Sequence, residues 1–256
     1  MNRVTVEQMV RRLRAAGCVF AEEEAALLTE EAAGDVDRLE RMLRDREDGR
    51  PLEQILGWAE FAGIRVRVEP GVFVPRRRSE IVVRLALEAA GPDAVAVDLC
   101  CGTGALGAAL LAARPDLEVH AADLDPAAVA CARRNLPPDR VHEGDLYDAL
   151  PGHLRGRIDV LVVNAPYVPT DEIAMMPPEA RDHEARVALD GGGDGLDVHR
   201  RVAASARDWL APSGHLLIET SRRQAPTTAA LVTAGGLAAH IVHDEEVAAT
   251  VVMGRR

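Results

Sequence analysis

The stretch Asp98-Leu99-Cys100-Cys101-Gly102-Thr103-Gly104-Ala105-Leu106-Gly107, DLCCGTGALG, closes the apolar run AVAV at 94–97 and opens a segment rich in Ala and Leu. It reads as a strand, a tight turn and a helix, and its glycines at 102, 104 and 107 spell G-x-G-x-x-G. Glycine lets the backbone come close to a ligand, and the first turn of the helix offers N–H groups that lack an intrahelical partner. Taken alone, the motif serves nucleotide-type cofactor sites and plain tight turns alike. The same alternation continues along the chain. AVAVDLC, EVHAAD, RVHEGD, IDVLVVN and HLLIET are candidate strands with amphipathic helices in most of the gaps, and AAHIVHD and VAATVVMG follow with only a few residues between them. This order predicts an α/β fold: a Rossmann-like, doubly wound, mostly parallel sheet of seven strands that ends in an antiparallel hairpin.

Before Ile81 the pattern differs. Residues 4 to about 48 read as helices: VEQMVRRLRAAG and AEEEAALLTEEAAG each stop at Gly, and VDRLERMLRDRED spaces Leu39, Met42 and Leu43 at helical intervals. A small helical domain is expected at 1–50. Residues 51–78 alternate at Ile64, Val66 and Val68 and turn at Pro70-Gly71 before Val72-Phe73-Val74, which predicts a β-hairpin connector, with the sheet domain at 79–256. Between the fourth and fifth strands of the sheet, Tyr167 to about Leu196 forms a connection of roughly 30 residues, several times the ordinary loop length. It holds Pro169, Pro177, Pro178 and the run DGGGDG, and a functional role is expected for it.

A chain of 256 residues that is 48% hydrophobic can bury a substantial core. Its start, MNRVTVEQMVRRLRAAG, lacks the apolar segment of a signal peptide. Charges interrupt every later run short of the ~20 residues that span a bilayer, so no membrane role and a cytoplasmic location are expected. Cys18, Cys100, Cys101 and Cys131 show neither a disulfide framework nor a C-x-x-C spacing, and free, mostly buried thiols are expected. None of the eight His falls in an H-E-x-x-H type of spacing, and no metal is expected. The net charge of -11 argues against a broad grip on nucleic acid, whose affinity comes largely from cations at phosphates. The densest basic cluster is PRRRSE at 75–80, which also suits a solvated face; the basic residues are all Arg, a composition bias from which no function follows.

Three carboxylates sharpen the reading of the glycine turn. Asp98 ends the strand before it, Asp123 ends the next strand about 20 residues on, where an acid can accept from ribose hydroxyls, and Asp145 ends the third. Each Asp taken singly also suits a helix N-cap. Together they lie on the sheet edge where open α/β sheets bind ligands. A carboxylate at 98 repels the pyrophosphate of a dinucleotide and attracts the ammonium and sulfonium of S-adenosylmethionine, so charge favours the latter.

The fourth strand ends in Asn164-Ala165-Pro166-Tyr167, NAPY. An isolated N-x-P-Y reads as a strand terminator, with the Pro stopping the ladder and the Tyr packing. Beside a methyl-donor site it can do more. The Asn164 side-chain oxygen and the Ala165 carbonyl can accept both hydrogens of a substrate NH2, Pro166 stiffens the turn, and Tyr167 can stack on a flat amide or base. Amide and aromatic amine nitrogens are poor nucleophiles, so orientation matters more than a strong base, and no catalytic Lys or His is expected.

PLEQILGWAEFAGIRVRVEPGVFVPRRRSE, DLCCGTGALG, AADLDPAAVACARRN, GDLYDAL, VVNAPY, ARVALDGGGDGLDVHRRV and HLLIETSRRQ, in this order from Pro51 onward, resemble the protein-(glutamine-N(5)) methyltransferases that modify the Gly-Gly-Gln loop of peptide chain release factors. The resemblance implies a class I S-adenosylmethionine-dependent methyltransferase fold with a helical N-terminal domain that helps to grip the release factor. It implies Asp98, Gly102, Thr103 and Gly104 along the methionine moiety, Asp123 with Leu124 at the ribose, Asp145 with Leu146 near adenine, and Asn164, Ala165, Pro166 and Tyr167 around the glutamine amide. Phe73, Pro75, Arg76, Ser79 and Glu80 match the segment that closes over the cofactor, and Asn164 borders it as well. The sequence departs from the family pattern at Ala165, where Asn-Pro-Pro-Tyr has Pro, at Arg77-Arg78-Ser79 within Pro-Arg-Pro-Glu-Thr-Glu, at Thr220-Ser221 within Glu-Ile-Gly, and in a shorter helical unit. A protein glutamine is therefore the expected acceptor. An exocyclic amine of adenine or of a small molecule is the alternative, and a nicotinamide-dependent oxidoreductase or a non-catalytic module that only binds the cofactor stands further off.

Overall fold

The computed structural model describes residues 5–256; residues 1–4, with the predicted start of the helical unit, lie outside the described residues. Helices α1 (Val6–Ala15), α2 (Ala21–Ala32), α3 (Val36–Glu47) and α4 (Leu52–Leu56) pack around Met9, Leu13, Leu28, Leu43 and Leu56. Thr5 starts α1 reciprocally: its hydroxyl accepts the Gln8 N–H, and its own N–H donates to Gln8 Oε1. Because α4 and Trp58 pack on the same core, the helical unit runs past the expected limit at residue 50.

The predicted hairpin is real in kind and displaced in register. Strands β1 (Trp58–Phe61) and β2 (Ile64–Arg67) pair antiparallel around Ala62-Gly63, whose φ values of 48° and 79° make the two-residue turn that matches strand twist. Val72-Phe73-Val74 is not the partner of Ile64–Val68. The Pro70-Gly71 turn does form, with the Val72 N–H donating to the Glu69 carbonyl at 3.2 Å. Beyond it, however, Val72 packs on Ala128 and Cys131 of the helix Pro126–Ala132, and Val74 on Ala59 and Val68 of the hairpin and its exit, so both valines are buried by side-chain packing and neither pairs in a ladder.

After a 3-10 turn at Arg77–Ser79 come α5 (Glu80–Ala89), β3 (Val95–Leu99), α6 (Ala105–Ala113), β4 (Glu118–Asp123), α7 (Pro126–Ala132) and β5 (Val141–Glu143). The chain continues through β6 (Ile158–Val163), α8 (Pro178–His183), α9 (Asp197–Trp209), β7 (Leu210–Glu219), α10 (Ala225–Ala234), β8 (Ala238–Asp244) and β9 (Ala249–Arg255). The seven strands lie in the order β5-β4-β3-β6-β7-β9-β8. The first five are parallel, and β9 runs antiparallel between β7 and β8. All five residues of β3 are buried, as a strand covered on both faces requires. Along β6 the sides alternate: Val160 and Val162 join the core under α5 and α6, and Leu161 and Val163 join the core under α9 and α10.

Strand β7 starts five residues before the predicted HLLIET, after a register shift against β6 between Ile158 and Val160. Only 3-10 turns, at Leu146–Ala149 and Gly152–Leu154, connect β5 to β6. Among the described residues no helix is long and apolar enough to cross a membrane. The four cysteines are free, and all but Cys100 are buried.

Topology decides where a ligand can lie. From β3 the chain moves outward to β4 and β5, and from β6 it moves the opposite way to β7. The loops leaving β3 and β6 therefore diverge and open a crevice at the carboxyl ends of these two neighbours, the switch point of the sheet. DLCCGTG leaves β3 there and NAPY leaves β6 there.

Candidate active site

A cavity of about 440 Å³ fills the crevice, floored by the ends of β3, β4 and β6 and roofed by residues 73–79 and by the long loop after Tyr167. On the glycine-turn side it is bordered by Asp98, Gly102 and Thr103, then by Asp123 and Leu124, then by Asp145 and Leu146. Phe73, Pro75, Arg76 and Ser79 border it from the roof, and Asn164, Ala165, Pro166 and Tyr167 from the end of β6. Two of the expected residues do not border it. Gly104 has φ 75° and a Cβ there would meet Ala132 and Leu136 at 3.1 Å, so this glycine is needed for helix packing. Glu80 turns away, and its Oε1 accepts the Ala62 N–H at 3.2 Å, which ties α5 to the hairpin turn.

The three acids differ in their surroundings. Asp98 is fully buried; its Oδ2 accepts the Gly107 N–H at 2.9 Å and its Oδ1 has no partner. Burial pushes its pKa up to about 7; the Gly107 N–H offsets part of that and the charge of Asp123 adds to it. A buried carboxyl with one free oxygen favours a cationic or hydrogen-bond-donating ligand. Asp123 shapes the turn itself, accepting the Gly102 N–H on Oδ2 at 2.8 Å and the Asp125 N–H on Oδ1 at 2.9 Å. Each of its oxygens keeps a lone pair for a hydroxyl. Asp145 is held by Arg201 of α9, whose Nη2 donates to Oδ2 at 2.7 Å. Cys100 and Leu146, both on the cavity wall, have φ of 61° and 50°, left-handed values that are costly for side chains of this kind.

At the other end, the Asn164 Nδ2 donates to Ser79 Oγ at 3.3 Å, which leaves the side-chain oxygen available as an acceptor. The Tyr167 hydroxyl is fully engaged: Arg78 Nη2 donates to it at 3.0 Å and it donates to Glu219 Oε1 at 3.3 Å. Its pKa is pushed up to about 12, by burial first and then by the Glu219 charge. A phenol held this way offers its ring face and cannot act as a base near neutral pH. The Tyr167 carbonyl accepts from Gln224 Nε2 at 2.9 Å. Gly195 packs so close to the same carbonyl that a Cβ could not fit, and a Cβ on Gly191 would lie 2.5 Å from the Gly195 oxygen. The glycine run in the long loop thus serves close approach beneath Tyr167.

That loop is ordered by its own backbone. The Val168 N–H donates to the Leu189 carbonyl, the Gly191 N–H to Val168 and the Thr170 N–H to Gly192, so the chain doubles back and brings Met176, Pro177 and Leu189 over the cavity. Glu184 fastens it to the roof: with its side chain fully buried, its Oε1 accepts the Val74 N–H at 3.1 Å and Arg76 Nη2 at 2.6 Å. Arg78, Arg201, Glu184 and Glu219 were not among the sequence candidates. The one available signal was PRRRSE, which carries Arg76 and Arg78.

A seven-stranded sheet of this order with a cavity at its switch point is the architecture of the class I methyltransferases. Residues 63–195 match the family model "Methyltransferase small domain". A release factor glutamine methyltransferase of Geobacter sulfurreducens is 36% identical over 195 residues, 75% of this chain and 68% of its own, and one of Deinococcus radiodurans is 35% identical over 257 residues, 93% and 92%. The chain belongs to the release factor glutamine methyltransferase family, whose methyl donor is S-adenosylmethionine. A crystallographic methyltransferase structure from Pyrococcus furiosus shares the fold, with a TM-score of 0.57 at 17% identity over 75% of this chain and 89% of that one.

Proposed function

We propose that this chain methylates the side-chain amide nitrogen of a protein glutamine, in the Gly-Gly-Gln loop of a peptide chain release factor, and that the cavity at the switch point is where it does so. The observation that carries the reading is the position of Asn164 and Ala165 at the end of β6, bordering one cavity with the orphaned oxygen of Asp98. The names of the relatives support the choice of acceptor.

The residues fit the donor. Asp98 offers a free carboxylate oxygen to its cationic amino acid portion, Asp123 offers lone pairs to the ribose, and Asp145 lies further along the same wall. Bound there, S-adenosylmethionine supplies a methyl group activated by sulfonium. The chain's contribution is geometric. The Asn164 Oδ1 and the Ala165 carbonyl accept the two amide hydrogens and so fix the nitrogen, Pro166 prevents that carbonyl from turning away, and Tyr167 lays its ring along the planar amide. Arg78 and Glu219 hold the ring in place through its hydroxyl. No group with a basic pKa is needed, because the amide proton becomes acidic once the nitrogen bears positive charge.

The test is transfer of labelled methyl from S-adenosylmethionine to purified, unmethylated release factor, followed by mass mapping, with the Gln→Ala loop variant as control. Label on that glutamine alone is the expected result. Donor binding without label on the factor would sink the choice of acceptor.

A further inference from the structure

At the end of the sheet opposite the cavity, Glu118 and His120 project from the same face of β4, two residues apart, and His153 reaches that face from the 3-10 turn at Gly152–Leu154. The Glu118 Oε1 lies 3.1 Å from His120 Nε2, and the rings of His120 and His153 meet edge to face with centroids 6.3 Å apart. One donor atom from each of the three lies within 4.8 Å of the others. His142 of β5 stacks on His120, with its Nε2 3.0 Å from His120 Nδ1. Three of the eight histidines of the chain thus gather at one place, although they are 33 residues apart in sequence at the extremes. Nothing in the methyl-transfer reading uses them.

We infer that Glu118, His120 and His153 bind a divalent transition-metal ion, with zinc the best suited. Two imidazoles and a carboxylate are the donors this ion takes at about 2.0–2.2 Å, and bonds of that length put neighbouring donors of a tetrahedron roughly 3.3 Å apart, close to the His120–Glu118 separation. His153 is exposed and closes the remaining gap by rotation of its side chain. Water takes the fourth position. In the bound form the Nδ1–H of His120 donates to His142, the outer hydrogen bond that orients a ligating imidazole and fixes its tautomer. His120 is buried, so its ring is already held in place, whereas Glu118 and His153 meet solvent and give the ion a path in. The ion joins β4 to the turn that leads into β6. Its effect is to steady the β5 edge of the sheet, whose upper end carries Asp145 and Leu146; it takes no part in methyl transfer.

The whole protein is stripped with chelator and titrated with zinc chloride by calorimetry, and with cobalt chloride by visible absorption. One equivalent is expected to bind and to raise Tm by several degrees. Both His153→Ala and Glu118→Gln should weaken binding by about tenfold or more, while leaving the metal-free Tm of the exposed-site variant His153→Ala where it was. The cobalt spectrum should show nitrogen and oxygen ligation without a thiolate band. Absence of stoichiometric binding, binding undiminished in both variants, or a thiolate charge-transfer band from one of the four cysteines would each overturn the site.

Discussion

Asp98 carries a buried carboxyl whose pKa is raised to about 7 by desolvation, against an ordinary 3.8. A raised pKa means that the folded protein holds this proton more tightly than the unfolded chain does. The stability it brings is complete below pH 3.8 and is lost as pH climbs towards 7. In the ligand-free enzyme Asp98→Asn should therefore raise Tm more at pH 8 than at pH 5. Donor affinity should run the other way, tightening as Asp98 ionises through about pH 7, until the donor's own amine begins to deprotonate near pH ~8. Asp98→Asn should flatten that profile and weaken binding; a donor Kd that ignores pH in the native enzyme would remove the electrostatic role. Asn164 is expected to act on the acceptor alone. Asn164→Ala should lower kcat by about 10² or more and leave donor Kd within about twofold, whereas Asp123→Ala should chiefly weaken the donor. Calorimetry with the donor and labelled transfer, run on both variants, separate the two roles, and equal losses of donor binding would contradict them.

Among the elements, the strands were easily read, because β3, β4 and β6 carry apolar runs that end in Asp or Asn at the edge where the chain turns. β8 matched its predicted span, with exposed and half-buried residues alternating along most of it as suits a strand at the edge of the sheet. The hairpin was harder. Val72-Phe73-Val74 alternates like a strand, but alternation records only that two sides differ, and here the inner side faces α7 and the hairpin. The polar frame of the site was hidden for another reason. Arg78 reaches Glu219 over 141 residues, Arg76 reaches Glu184 over 108 and Arg201 reaches Asp145 over 56, separations that leave no local period to detect. Glu184 shows what such a contact does. Its buried carboxylate accepts from both Val74 and Arg76 and so ties the roof to the long loop, beside the Ala185 N–H that donates to the Gly71 carbonyl. Glu184→Ala should leave the Val74 N–H and Arg76 without their acceptor, lower stability by about 1–3 kcal/mol and weaken the donor more than the acceptor. Denaturant melts and the two Kd values check this; an unchanged donor Kd would mean that the roof holds without it.

On the scale of the whole molecule, α8 is held from both sides. The buried Arg46 of α3 binds Glu24 within the helical unit at 2.7 Å and Glu179 at the start of α8 at 2.5 Å. Gln54 of α4 donates to the His183 carbonyl at its end, and Glu184 just beyond fastens the cavity roof. Arg46→Ala would strand Glu24 in the interior at a cost of about 3–5 kcal/mol. The informative change is Glu179→Ala, at a half-exposed side chain, which should keep the fold and release only that end of α8. If the helical unit grips the acceptor protein, donor Kd measured with and without release factor should differ in the native enzyme, and the ratio should fall towards one in Glu179→Ala. The same ratio in both would place the grip elsewhere. Linkage makes such a coupling mutual: whatever the release factor adds to donor affinity, the donor returns to the release factor. One short helix would then let the enzyme refuse a protein partner when it has no methyl group to give, and hold the methyl group more firmly once the partner has arrived.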